Sequence, residues 1–109
     1  MNTAKAGRRE LNGLVIIAHS DQVLDVSATV IEMENDGLEL VALRNNSTTL
    51  VLMSSEGQAY SKSRLESIER SLRLAGFKGD GSTIEFKRRV ETRIHLRAIA
   101  EDLAEEYSE

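Results

Sequence analysis

The chain contains no cysteine, no proline and no tryptophan, and only two phenylalanines, two tyrosines and two histidines. Without cysteine there is no disulfide, thiolate metal site or thiol nucleophile, and the composition suits a reducing compartment, so a cytoplasmic location is expected. Without proline there is neither a polyproline II ligand motif nor a rigid proline-rich linker. Two histidines cannot build a histidine-rich metal site within one chain, and so few aromatics leave no obvious platform for stacking nucleic-acid bases. The longest apolar run, Leu14 to Ala18, is far short of the roughly 20 residues that span a bilayer, and Arg8-Arg9 before it does not make it a signal peptide. No membrane partner and no cofactor are expected.

What the chain does have is enough apolar material for one core. Of its 109 residues, 40% are hydrophobic and 29% charged, ordinary for a folded domain and too apolar for a disordered chain. Residues 1–10, MNTAKAGRRE, carry no periodicity and little to bury, and are expected to form a flexible basic arm. Residues 11–109 are expected to form a single α+β domain.

The net charge of −4 is unevenly spread. Lys5, Arg8 and Arg9 make the first nine residues basic, whereas residues 10–56 hold eight acids against Arg44 alone. Residues 57–97 hold ten Lys or Arg against five acids, and residues 98–109 hold five acids and no base. Such segregation can steer a charged partner or a second copy of the chain.

From Leu11 to Ser55 the chain is rich in Val, Ile, Leu and Thr, interrupted by turn-forming residues, which predicts successive short strands. LNGLVIIAH is the first. QVLDVSATVIEME is the second, with Leu24, Val26, Ala28 and Val30 facing one way and Asp25, Ser27 and Thr29 the other. A helix from Ser20 competes, but Val23, Val26, Thr29, Val30 and Ile31 are β-branched and lose side-chain freedom in a helix, so the strand is favoured. NDG at 35–37 then reads as a hairpin. A two-residue loop would set Glu34 against Glu39, a like-charge pair, whereas a loop from Glu34 to Gly37 sets Met33 against Leu38, Ile31 against Leu40 and Val30 against Val41. LELVALR and TLVLMSS are the third and fourth strands. The middle strands are apolar on both faces and need cover on both sides, by helices, a second sheet or a partner subunit.

SKSRLESIERSLRLAGF is a helix. Leu65, Ile68, Leu72 and Ala75 form one apolar stripe, Ser63 and Glu66 a candidate capping box, and Gly76 a helix-ending glycine with Phe77 folding back on Leu72. Pairs Lys62 to Glu66, Glu66 to Arg70 and Glu69 to Arg73 supply local charge compensation.

In TIEFKRRVETRIHLRA, residues 83–98, odd positions are all polar, and even positions are apolar apart from Arg88 and Thr92. As one helix, the face with Phe86, Val90 and Ile94 lies roughly 160° from that with Leu96, Ile99, Leu103 and Tyr107, at about 100° per residue. A strand from about 83 to 94 followed by a helix from about 96 to 107 removes that conflict, although Ser82 and Glu85 could cap one long helix instead. The expected class is therefore α+β: a four-stranded antiparallel meander followed by helix, strand and C-terminal helix, β-β-β-β-α-β-α.

No catalytic motif emerges. GFKGDG at 76–81 follows a helix rather than a strand and lacks Gly-Lys-Ser/Thr. HSD at 19–21 has triad residue types, but neighbours on a turn cannot align nucleophile, base and orienter. Glu32, Glu34, Asp36 and Glu39 lack the spacing of a calcium loop. The anomaly is Arg88, a charge pointing inward from a strand, as edge strands use against unwanted pairing. Alternatively it joins Lys87, Arg89, Arg93, His95 and Arg97 in a basic ridge for an anionic partner, though Glu85 and Glu91 interrupt that ridge. The expected function is a noncatalytic binding or regulatory protein acting through protein association, as a homodimer. The alternative is a nucleic-acid-binding regulator that uses the ridge.

Overall fold

Two strands that are apolar on both faces organise the molecule. The computed structural model describes residues 11–54, 60–91 and 93–107; the basic arm expected at 1–10 lies outside them. The elements are β1 (Leu11–Ser20), α1 (Ser27–Asn35), β2 (Leu38–Arg44), β3 (Thr49–Ser54), α2 (Lys62–Ala75), β4 (Ser82–Glu91) and α3 (Arg93–Glu105). The strands form one antiparallel sheet in the order β2-β3-β1-β4. The fold is α+β, as expected, with the chain order β-α-β-β-α-β-α.

Side chains alternate across a strand, so the central pair needs two cores. On one face Leu14, Ile16 and Ala18 of β1 and Leu50 and Leu52 of β3 pack with Val26, Met33, Ile68, Leu72 and Phe77 from the segments around α1 and α2. On the other, Val15, Ile17, Val51 and Met53 pack beneath Leu96, Ala100 and Ala104 of α3. Each large side chain buried in this way contributes about 1.5–3 kcal/mol.

The second expected strand is a helix, and this is the principal correction. Val26, Val30 and Met33 recur at helical spacing as well as alternating in part, and they turn towards the sheet. The helical penalty of β-branched residues is a few tenths of a kcal/mol each, less than the gain from covering an apolar sheet face. The Asp25 carboxylate accepts hydrogen bonds from the Ser27 backbone N–H at 3.2 Å and the Ser27 hydroxyl at 2.9 Å, satisfying a donor the helix start leaves unpaired. Those bonds, the backbone one foremost, hold the Asp25 pKa below its ordinary value. NDG is accordingly not a hairpin: Asp36 ends α1, and Gly37, at φ 90°, turns the chain into β2. The expected facing of Met33, Ile31 and Val30 with β2 does not form.

The later elements follow the sequence reading closely. Helix α2 buries Ile68 and Leu72 and is capped by Ser61, which accepts from the Arg64 N–H at 3.2 Å, rather than by Ser63. Gly76 ends it at φ 122°, and the Phe77 N–H donates to the Leu72 carbonyl at 3.1 Å. Glu69 and Arg73 pair at 2.7 Å. Strand β4 ends at Glu91 and α3 begins at Arg93, a little before the expected change between 94 and 96, so Ile94, expected in the strand, lies in the helix and is exposed. Arg97 pairs with Glu39 of β2 at 3.3 Å, tying α3 across the sheet. The start of α2 is tied to the end of α1: Arg64 stacks 4.5 Å over the Tyr60 ring and donates to the Asp36 carbonyl, and the Tyr60 hydroxyl donates to the Gly37 carbonyl at 3.2 Å.

Helix α3 comes close enough to β1 that a Cβ on Gly13 would lie 2.7 Å from Leu96 Cδ2, and Leu96 is fully buried. Gly13→Ala is therefore expected to cost about 1–3 kcal/mol by overpacking. Introduced into a Leu96→Ala background, it should cost markedly less. Urea unfolding of the four proteins in that cycle checks this, and equal costs in both backgrounds would refute the close approach.

Candidate functional site

The two edges of the sheet differ. Strand β2 is interrupted by a bulge between Leu40 and Ala42 and is overlain by α1 on one side and α3 on the other. Strand β4 pairs with β1 in unbroken register from Leu11 opposite Glu91 to Ser20 opposite Ser82, without a bulge. Helix α3 lies across β1, β2 and β3 and meets β4 far less. As a result no residue of β4 whose side chain is described is buried, whereas every residue of β3 is. Ile84 and Phe86 are only partly covered by the α1/α2 core. An unbulged edge of this length presents unpaired N–H and C=O groups to the outside, a template for another strand.

The charges on this edge are Glu85, Lys87, Arg88, Arg89 and Glu91. Glu85 and Lys87 lie on the α3 side and pair at 3.6 Å. Arg88 lies on the opposite side, in the row of Ile84 and Phe86, and is exposed. It reaches past the half-covered apolar row to donate to the Tyr60 carbonyl at 3.3 Å. Its backbone position is thus the inward-facing one on an edge strand, while its guanidinium stays in water. Arg89 is in β4, and Arg93 opens α3. His95 is exposed in the first turns of α3, and Arg97 is engaged with Glu39. The described members of the basic ridge therefore do not share one face: Lys87 and Arg88 are on opposite sides of the sheet, each with a partner.

A polar cluster that the sequence did not reveal sits at the far end of β1. The β register sets His19 opposite Thr49 of β3 and Thr83 of β4. His19 Nδ1 lies 2.7 Å from Thr49 Oγ1 and Nε2 lies 3.2 Å from Asp21 Oδ1, while the Tyr107 ring lies against the imidazole at 4.8 Å between centroids. His19 and Asp21 meet, but Ser20 does not complete a triad with them: its hydroxyl accepts from the Gln22 N–H at 3.1 Å. The hydroxyl aligned with them belongs to Thr49, which is fully buried and so not offered to a substrate. The cluster docks the end of α3 on the sheet. Burial first, and then the Glu85 carboxylate, raise the Tyr107 pKa, against a hydrogen bond with Thr83 that lowers it.

Beside it a cleft of about 380 Å³ is lined by Arg44, Asn45, Asn46, Ser47, Glu105 and Tyr107, among others. Arg44 Nε is buried there without an acceptor, but Glu105 stands 3.9 Å from the same guanidinium and opposes an anion. Among the described residues no three acidic or histidine side chains converge on a metal-sized point, and no helix is long and apolar enough to cross a membrane. Compared with protein-family models, curated proteins and solved structures, the chain matches none.

Both tyrosines, Tyr60 and Tyr107, are held neutral by the fold, because burial raises their pKa values above the ordinary value near 10. A raised acid pKa contributes stability that is complete below about pH 10 and is lost as pH climbs beyond it. Melting temperature measured from pH 8 to 11 should fall above pH 10, and the fall should be shallower in the Tyr60→Phe/Tyr107→Phe protein. An unchanged slope would contradict the burial of these phenols.

Proposed function

We propose that this chain is a noncatalytic binding or regulatory protein that acts by associating with a second copy of itself. The cover that the apolar sheet faces require is supplied within the chain by α1, α2 and α3, so the case for association rests elsewhere. The observation that supports it is the β4 edge: long, unbulged, less covered by α3 than the other strands, with Ile84 and Phe86 only partly buried. Natural sheets shield such an edge or use it, and the inward position of Arg88 disfavours strands that set another cation opposite it while leaving pairing with a matched strand open. The charges on β4 are of both signs and offer a strand of mixed charge something to pair with.

An anionic strand would want the basic side chains on one face. Lys87 and Arg88 are divided between the two faces, and Lys87, Arg97 and Arg88 are engaged with Glu85, Glu39 and the Tyr60 carbonyl respectively, so homotypic association is the reading adopted. Size-exclusion chromatography with light scattering at micromolar concentration should give about twice the 12.1 kDa chain mass. A monomer throughout that range would dispose of the proposal.

A further inference from the structure

Resting on that reading, we infer that two copies join edge to edge through β4, antiparallel, with Phe86 opposite Phe86 of the second copy. The result is one continuous sheet through both protomers. A two-fold axis perpendicular to the sheet keeps each face on its own side, so residues of like parity must meet, and only a few registers are available.

Charge decides among them. With the axis at Glu85, carboxylate faces carboxylate; at Lys87, ammonium faces ammonium; at Arg88, guanidinium faces guanidinium. Each is an unfavourable directly opposed pair. With the axis at Ile84 no like charges meet, but only positions 82–86 of each strand take part. With the axis at Phe86, positions 82–90 all pair.

That register sets Glu85 opposite Lys87 twice over. Glu85 and Lys87 already lie side by side on the α3 face at 3.6 Å. The second copy brings the same pair reversed, which completes a square of alternating charges. On the other face the two Phe86 rings become a cross-strand aromatic pair, and each Ile84 faces Arg88, whose aliphatic stem can lie over it. The partly buried apolar row of β4 thereby gains further cover from its own counterpart. Helix α3 lies mainly over β1, β2 and β3; Tyr107, just beyond its end, meets Thr83 and Glu85 on the α3 face of β4, so the incoming strand joins at the lateral edge rather than over that face.

The test is a charge exchange read by light scattering, with circular dichroism confirming that each variant is folded. Lys87→Glu makes glutamate face glutamate, and Glu85→Lys makes lysine face lysine. Each variant alone should dissociate at concentrations where the wild type is dimeric, with affinity weakened at least tenfold. Mixed in equal amounts, the two should form a heterodimer, since one strand now carries two lysines and the other two glutamates. The double variant Glu85→Lys/Lys87→Glu should dimerise by itself. Because the chain has no native cysteine, Glu85→Cys and Lys87→Cys proteins should cross-link under oxidation when mixed and not when separate. If the wild type is a dimer yet both single charge variants dimerise as well as it does, or the mixture stays monomeric, this interface is wrong while self-association survives. If the wild type is a monomer, the proposed function and the interface fall together.

Discussion

The structure depends on a pair of neighbouring strands, β1 and β3, that have no polar face. Leu14 to Ala18 and Leu50 to Met53 are buried on both sides, and a strand in that situation cannot sit at the surface of a two-layer domain. Helices must lie above and below, and the chain supplies them in an order that leaves β2 and β4 as flanks. The placement of α1 and α2 on one side and α3 on the other follows from this requirement.

The same requirement explains α1. Its local preference is divided, because its β-branched residues favour an extended chain while Val26, Val30 and Met33 share a helical face. The choice is made by the apolar sheet face that would otherwise lack cover near β2. Gly37 at φ 90° is equally suited to a tight hairpin and to ending a helix, so it could not arbitrate. Helix α2 had no such conflict. Its stripe, its terminal glycine and the Phe77 contact with Leu72 were all legible, because propensity, pattern and the C-terminal cap agreed, whereas the N-cap is Ser61 rather than Ser63. The change from β4 to α3 was legible for a different reason: a continuous helix would have had to switch its buried side near Ile94.

The candidate surface was legible only in part. That a strand starts near residue 83, though not that it stops at Glu91 rather than near 94, and that Arg88 marks an edge, could be read from alternation and from a charge in an apolar row. The ridge could not be assembled from spacing alone. Alternation sends Lys87 and Arg88 to opposite sides of the sheet, and the pairing of Arg97 with Glu39 requires α3 to cross β2. The His19 cluster was hidden for a similar reason, since Thr49 and Thr83 are brought to it by strand register rather than by sequence proximity.

By itself the sequence determined where apolar side chains alternate or recur, and hence six of the seven elements, all but α1, and the absence of thiol chemistry or a membrane-spanning helix among the described residues. Those properties reside in neighbours along the chain, whose spacing is set by covalent geometry. Only the tertiary structure decided that residues 27–35 are helical, that β1 rather than β2 is central, and that β4 is the unbulged, less covered edge. These outcomes depend on which surfaces remain apolar after other segments have packed, a quantity that no local window of residues contains.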